Sequence, residues 1–316
     1  MKISLMVEGQ NGLTWDRWLH ILALAERLQF PGVFRSDHYF IGPQQDSLDP
    51  YLSFAVAAQV TSNIRLGPLV SPVTFRSPVD HARMAAQVDL LSGGRFTMGV
   101  GAGWNEPEHR AYGIPFPPVK ERFERLEEAI QVMKALWSGP DATFEGKHYA
   151  LAGADMKPRP AATRPPLLIG GGGEKKTLKL VARYADEWNG VNMTPEIFAH
   201  KLDVLARHCE AESRNPAAIA KSMMTFGIVG PSQADIDAAT ERLQSMFGGR
   251  GVSPAEFRRN AAERGMIVGD TAEVVDRLGK LAELGLGEVM FQHFNFDSDD
   301  VPAYLAAEIA PRVRDL

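Results

Sequence analysis

Cysteine is almost missing from this chain. Cys209 is the only one, so no intrachain disulfide can form and no cysteine metal cluster can be built. That usage suits a reducing, cytoplasmic setting. Long apolar runs are missing too: no stretch of about eighteen apolar residues occurs. The opening MKISLMVEGQNG carries one Lys and an apolar run too short for a signal-peptide core. Neither secretion nor a membrane span is expected. There is no basic excess, since 34 Lys and Arg stand against 39 Asp and Glu for a net charge of −5. The cations are scattered rather than striped, which argues against capture of nucleic acid or an anionic membrane and leaves small molecules as partners. No internal repeat, low-complexity tract or domain linker is visible, and Pro158 to Pro166 reads as an extended surface connection.

What is present is an ordinary globular composition, 45% hydrophobic and 23% charged over 316 residues. Short apolar runs that suit buried parallel strands alternate with longer segments of helical spacing. Candidate strands are Ile3–Val7, Gly32–Arg35, Ile64–Val70, Phe96–Val100, Leu167–Ile169, Glu187–Val191, Met223–Val229 and Glu288–Phe291. Thr14 can cap a helix with Trp15, Trp18, Leu19, Leu22 and Ala25 on one face, stopped by Pro31-Gly32. A second starts near Arg122, with Phe123, Leu126, Ile130, Met133 and Trp137 at three- and four-residue steps. Eight such units predict a closed (β/α)8 TIM barrel, residues 1–316 forming one domain, although six or seven units in an open sheet would look similar locally. Two stretches, about 104–165 and 231–265, are too long for plain connections and read as insertions over one mouth.

In such a barrel the chemistry sits at the C-terminal ends of the strands. Those ends deliver Glu8 and Gln10; Ser36, Asp37 and His38; Gly101, Gly103, Trp104 and Asn105; Trp188, Asn189 and Asn192; and Gln292 and His293. The strongest motif is Gly170-Gly171-Gly172-Gly173-Glu174, between the fifth strand and a helix carrying Leu178, Leu180 and Val181. Glycines let backbone amides approach an anion and the helix start adds partial positive charge, so a phosphate belongs there; the plainer reading is a flexible turn. No Gly-Lys-Ser or Gly-Lys-Thr follows, so it is not a nucleotide P-loop. Gly99-Val100-Gly101-Ala102-Gly103 has no helix immediately behind it and no acidic residue at the dinucleotide spacing, which excludes a Rossmann site. A close approach to a flat ring, or simply a tight turn, remains.

Asp37-His38 is a candidate acid/base pair because imidazole exchanges protons near neutral pH and a carboxylate can orient it; the alternative is a structural dipeptide. Zinc held by His38, His81, His109 and His293 with Asp37 or Glu8 is disfavoured, since Glu8-Gly9-Gln10 replaces the H-x-H expected after strand one. No metal is expected. His20, His200 and His208 fall in helical patterns and read as solvated or packing residues, Cys209 as inert, and Trp188 as either a pocket wall or a barrel closure.

With Ser36-Asp37-His38, Leu69-Val70-Ser71-Pro72-Val73-Thr74-Phe75-Arg76, Leu91-Ser92-Gly93-Gly94-Arg95, Gly99 to Asn105 and the Gly170 run, the chain resembles the luciferase-like monooxygenase superfamily over nearly its whole length. The opening Glu8 to Trp15 and the glycine run are most similar to bacterial members that use the deazaflavin coenzyme F420. The resemblance implies a ring over the strand mouths and a phosphate at Gly171 to Gly173, helped by Glu174 and Thr177. It implies a bulge with a non-proline cis peptide at Leu69-Val70 pressing on the ring, with Gly101, Gly103 and Asn105 nearby. It gives His38 the substrate proton and puts Asp37 beside the ring edge. Sugar-phosphate dehydrogenases of the family carry a catalytic glutamate where this chain has Trp104, so an apolar or aromatic substrate is favoured, with Glu8, Gln10, Asn192 and His293 as further polar contacts.

Three functions follow. The first is hydride transfer between coenzyme F420 and a small organic substrate, with His38 as acid/base. The second is an FMN-dependent monooxygenase supplied by a partner flavin reductase. The third is a non-catalytic flavin-binding protein; a metal-dependent barrel hydrolase trails them. Arg76, Arg110, Lys175 and Lys176 are the basic residues placed to meet the acidic tail of the deazaflavin, with solvated surface roles as the simpler reading. A homodimer is expected from the resemblance alone.

Overall fold

The computed structural model describes residues 1–42, 47–247 and 251–316. In chain order its strands are β1 (Lys2–Val7), β2 (Gly32–Arg35), β3 (Arg65–Pro68), β4 (Ser71–Pro72), β5 (Met98–Gly101), β6 (Ala142–Glu145) and β7 (Ala150–Ala154). They continue as β8 (Leu167–Gly170), β9 (Glu187–Val191), β10 (Ala220–Thr225), β11 (Gly227–Val229), β12 (Ile267–Gly269) and β13 (Glu288–His293). The helices are α1 (Trp15–Arg27), α2 (Pro50–Val60), α3 (Pro78–Ser92), α4 (Glu106–Ala111), α5 (Val119–Ser138) and α6 (Thr177–Tyr184). After them come α7 (Pro195–Ala211), α8 (Gln233–Phe247), α9 (Pro254–Glu263), α10 (Thr271–Glu283), α11 (Asp300–Tyr304) and α12 (Ala310–Val313).

Nine parallel strand segments lie in the order β3-β2-β1-β13-β10-β9-β8-β5-β4, and the two ends of that order meet in the third stave of a TIM barrel. The third stave, expected as the one run Ile64–Val70, is two pieces, the second of which lies beyond that run. Its lower half β3 pairs with β2, and Leu66 bridges to Phe96; its upper half β4 pairs with β5 through Ser71 and Val100. The cis Leu69-Val70 peptide stands between them. Two other expected runs are corrected. Phe96 contributes only that single bridge, so the fourth stave starts at Met98. The run Met223–Val229 leaves the barrel at Phe226, whose amide donates to Asn192 Oδ1 at 3.3 Å, and β11 pairs with β12 in a small separate sheet.

Side chains from alternate strand positions fill the barrel in layers. At the bottom Arg65 crosses the lumen to Glu187 and Glu288, both at 2.8 Å. Above it Met6, Phe34, Leu69, Leu168 and Met290 make an apolar plug, with Val70 and Met224 against it. The top of the plug is the floor of the mouth. Outside, helices bury apolar stripes against the strands. Thr14 caps α1, its hydroxyl accepting from the Arg17 amide, but the buried stripe is Trp18, Ile21, Leu22, Leu24 and Ala25. Trp15 and Leu19, expected on that face, are exposed because they flank the stripe at the helical step of about 100° per residue. The helix also ends at Arg27, ahead of Pro31.

Residues 104–165 supply α4, α5 and the antiparallel pair β6 and β7 beside the β5 and β8 mouths. Residues 231–265 carry α8 and α9, with 248–250 outside the described residues. Among the described residues no helix is long and apolar enough to cross a membrane.

Candidate active site

The mouth is organised around Val70. An added Cβ at Gly101 would lie 2.7 Å from one Val70 methyl, and one at Gly170 would lie 2.8 Å from the other. A Cβ at Gly99 would come 2.0 Å from the Pro68 carbonyl oxygen. These glycines therefore let the broken third stave press into the mouth between β5 and β8, which explains two of the glycine motifs by packing. Leu69 is buried in the plug below and Val70 is partly open above it.

His38 follows β2. Its Nδ1–H donates to Oε1 of Glu108 at 2.8 Å, and Oε2 of Glu108 accepts from the Tyr39 amide at 3.0 Å. Glu108 is 1% exposed at its side chain and His38 13%. Burial pulls the His38 pKa down, but the Glu108 hydrogen bond and the charges of Glu108, Glu8 and Asp37 outweigh it, and the net shift is upward. Among the described residues Nε2 meets no partner, so it is the atom left for chemistry. The Trp104 ring, 64% exposed, meets the imidazole edge-on at 5.4 Å.

The partner of His38 is thus Glu108, on α4, and not the adjacent Asp37. Sequence reading missed it because α4 lay inside a presumed insertion; the Glu108-His109 pair four residues past Trp104 was the available signal. That short helix opens at Glu106, with Trp104 and Asn105 between it and Gly103. Asp37 instead accepts from Ser71 Oγ and from Arg76, each at 2.6 Å, and Arg76 also holds Asp49 at 3.0 Å. Asp37 lies against the upper half of the third stave, one shell away from the imidazole.

Glu8 and its neighbours form a second polar group. Its carboxylate accepts from the Gln10 amide at 2.6 Å and from the Gln292 amide, while Gln10 Oε1 accepts from Ser36 at 2.5 Å. Gln292 Oε1 is buried without a partner. His293 is buried against Phe296 and its pKa falls to about 4, chiefly through desolvation, so it is a neutral imidazole. Asn192 sits in the left-handed region at φ 46° with its side-chain oxygen engaged by Phe226. Asn105 is committed as well, its amide to the Phe40 carbonyl at 3.0 Å and its own carbonyl to His109 at 2.7 Å.

The glycine run makes a cradle. Gly170 ends β8, Gly171 has φ 117°, nothing stands within 4 Å of a Cβ added at Gly172, and one at Gly173 would be 2.9 Å from Thr177 Oγ1. The Thr177 hydroxyl has no hydrogen-bond partner among the described residues although the residue is buried. Trp188 is a closure, buried and donating to the Gly171 carbonyl at 2.8 Å. The Gly171 amide is taken by the Asn189 carbonyl at 2.9 Å, but the amides of Gly172 and Gly173, an unpartnered hydroxyl and a helix start suit a phosphate. Glu174 does not add a free donor: its carboxylate holds Lys201 at 2.5 Å and His200 at 3.1 Å. His81 and His109 are likewise engaged, by Tyr51 at 2.9 Å and Thr74 at 2.7 Å, and no group of three or more potential metal ligands occurs among the described residues.

Comparison with known proteins gives this arrangement a context. Residues 1–288 match the family described as luciferase-like monooxygenase. An uncharacterized protein of Mycobacterium tuberculosis is 30% identical over 267 residues, covering 84% of this chain and 77% of the relative. An F420-dependent glucose-6-phosphate dehydrogenase of Intrasporangium calvum is 28% identical, covering 92% of this chain and 93% of its own. Among solved structures, a monooxygenase of Streptomyces bottropensis superposes with TM-score 0.82 at 21% identity, covering 98% of this chain and 99% of that one. An F420-dependent secondary alcohol dehydrogenase superposes with TM-score 0.79 at 23% identity over the whole of both chains. At those identities the two structures carry the fold alone.

Proposed function

The chain belongs to the luciferase-like monooxygenase family and is an oxidoreductase of that type, and from that premise we propose that it passes a hydride between coenzyme F420 and a small carbonyl compound or alcohol. The observation that carries this reading is the buried His38-Glu108 pair, which leaves an upward-shifted imidazole with one free nitrogen at the mouth. Relatives named F420-dependent, similar along more than nine-tenths of this chain, support the deazaflavin over FMN.

The cradle at Gly171 to Gly173 with Thr177 would hold the phosphate, and Val70, Gly101 and Gly170 would floor the ring. The bound deazaflavin supplies or takes up the hydride. The residues handle everything else. For reduction of a carbonyl, His38 Nε2–H hydrogen-bonds the oxygen, and gives up its proton as the C–O double bond opens to an alcohol; in oxidation the same nitrogen accepts that proton. Glu108 keeps the ring oriented and supports its positive charge. Trp104 closes one side of the substrate space and offers no proton, so an uncharged, apolar or aromatic substrate fits better than a sugar phosphate. Glu8 and the free oxygen of Gln292 supply the polar edge.

Titration of the apo protein with coenzyme F420 and, separately, FMN, oxidised and reduced, followed by ring fluorescence, tests the reading. Tighter binding of the deazaflavin, with hydride transfer to ketones or from secondary alcohols lowered about 10²–10⁴-fold in His38→Gln, is expected. Preferential FMN binding would turn the assignment toward oxygenation with a partner reductase, and tight binding with no turnover toward a carrier.

A further inference from the structure

The segment covering the β5 and β8 mouths contains a cation whose surroundings are unfinished. Arg122 lies in the first turn of α5, and its Nε and Nη1 are buried without a hydrogen-bond partner. Its guanidinium carbon sits 3.9 Å from the centre of the Phe116 ring. An aromatic face holds a cation but gives its N–H groups no acceptor, and a buried charged donor left open is costly. Three other arginines on this side are satisfied. Arg76 is held by Asp37 and Asp49, Arg110 by Glu106 at 2.9 Å, and Arg125 by Glu121 at 2.8 Å. Glu106, whose charge opposes the downward pull of burial on Arg122, is occupied by Arg110. Two basic residues expected from sequence to meet an acidic tail, Arg76 and Arg110, are therefore committed elsewhere.

The position of Arg122 follows from its neighbours. Phe116 packs on His109 at 4.7 Å, His109 bonds Thr74, and the Thr74 hydroxyl lies 2.9 Å from where a Gly103 Cβ would be. That chain leads to the end of β5. On the other flank, Phe123 carries the Lys176 ammonium 5.2 Å from its ring centre, and Lys176 directly precedes α6 behind the glycine cradle. That leads to the end of β8, the neighbour of β5 in the barrel. The first turn of α5 therefore stands beside both mouths. A cofactor with its ring over Val70 and its phosphate at Gly171 to Gly173 would send whatever lies beyond the phosphate outward past this turn.

Resting on the deazaflavin reading above, we propose that Arg122, with Lys176 beside it, is a carboxylate-binding site for the acidic tail of coenzyme F420, and that this site separates the deazaflavin from FMN. Nε and Nη1 lie on different edges of the planar guanidinium, so a carboxylate pairs with one edge through charge-assisted hydrogen bonds, and Phe116 fixes the plane in which that edge is presented. Lys176 adds charge without that geometry. The ring and phosphate sites are shared by the two cofactors; the tail site serves one.

The test is equilibrium titration by ring fluorescence of the intact protein, Arg122→Gln and Arg122→Lys, with three probes: coenzyme F420, its tail-less deazaflavin analogue, and FMN. The native protein is expected to bind coenzyme F420 at least about ten-fold tighter than the tail-less analogue, with the advantage shrinking as salt rises. Arg122→Gln removes most of that advantage, Arg122→Lys restores part of it, and the tail-less analogue binds all three proteins alike. The ligand-free Arg122→Gln protein is expected to melt close to the native one, because the removed charge had no hydrogen-bond partner and loses only the face of Phe116. Equal weakening of both deazaflavins, or no change in either, overturns the tail site while leaving the deazaflavin reading in place. Failure of the native protein to bind either deazaflavin in preference to FMN removes that reading and the tail site together.

Discussion

At the scale of single residues, the His38-Glu108 pair sets the pH behaviour. A histidine whose folded pKa stands above its unfolded value contributes stability that is fully present below about 6.5 and is lost as pH rises through the folded pKa. Carbonyl reduction uses the protonated ring, so its rate is expected to fall over that same rise. Glu108→Gln keeps an acceptor for Nδ1–H and removes the charge. The fall is expected to move to lower pH and the rate at neutral pH to drop about ten-fold or more, measured as kcat/KM against pH. An unchanged profile would mean that another group supplies the proton. His38 could be found in the sequence because it follows a strand end. Glu108 could not, because the link between β2 and α4 spans about seventy residues and exists only once the barrel closes. Asp37 was misread as its partner for the complementary reason: adjacency along an extended backbone points neighbouring side chains apart.

At the scale of elements, the broken third stave and the glycines around it act as one unit. Gly170→Ala puts a methyl 2.8 Å from Val70 Cγ1, and overpacking of that kind is expected to cost about 1–3 kcal/mol. Val70→Ala in the same chain removes the obstructing methyl and should restore the melting temperature. Gly99→Ala should not be rescued that way, since its obstruction is the Pro68 carbonyl, part of the backbone. Thermal melts of the two single and two double variants decide this; rescue of both, or of neither, would show that Val70 does not fill the space the glycines leave. The strand and helix beat was legible because buried parallel strands and amphipathic helices leave different apolar periods. The break at Leu69-Val70 came from resemblance, since nothing in Ile64–Val70 beyond Gly67-Pro68 marks where the stave divides. The departure at Phe226 was not read from the sequence either: Thr225 and Gly227 are the local interruptions in Met223–Val229, and the amide of Phe226 turns to the side chain of Asn192, one strand away.

At the scale of the whole molecule, one side chain joins staves that lie far apart around the ring. Arg65 starts β3, Glu187 starts β9 and Glu288 starts β13, so the ion pairs cross the lumen and fix the barrel floor beneath the apolar plug. Ser4 and Ser222 complete the carboxylates at 2.5 and 2.6 Å. Burial raises the Glu288 pKa, with Arg65 and Ser4 working against it. An acid with a raised folded pKa weakens the fold as pH climbs from its unfolded value through the folded one, and Arg65 limits that loss. Arg65→Met removes the cation and keeps most of the volume, leaving two buried carboxylates to repel each other. The expected loss at pH 7 is about 3–5 kcal/mol, the range for breaking a buried pair from one side. The deficit should shrink toward pH 5, because a protonated Glu288 needs no counter-charge. Denaturant unfolding of both proteins at the two pH values checks it. Equal deficits at both would place the contribution of Arg65 in its packing over Phe34, 5.3 Å from the ring centre, rather than in the charges it spans.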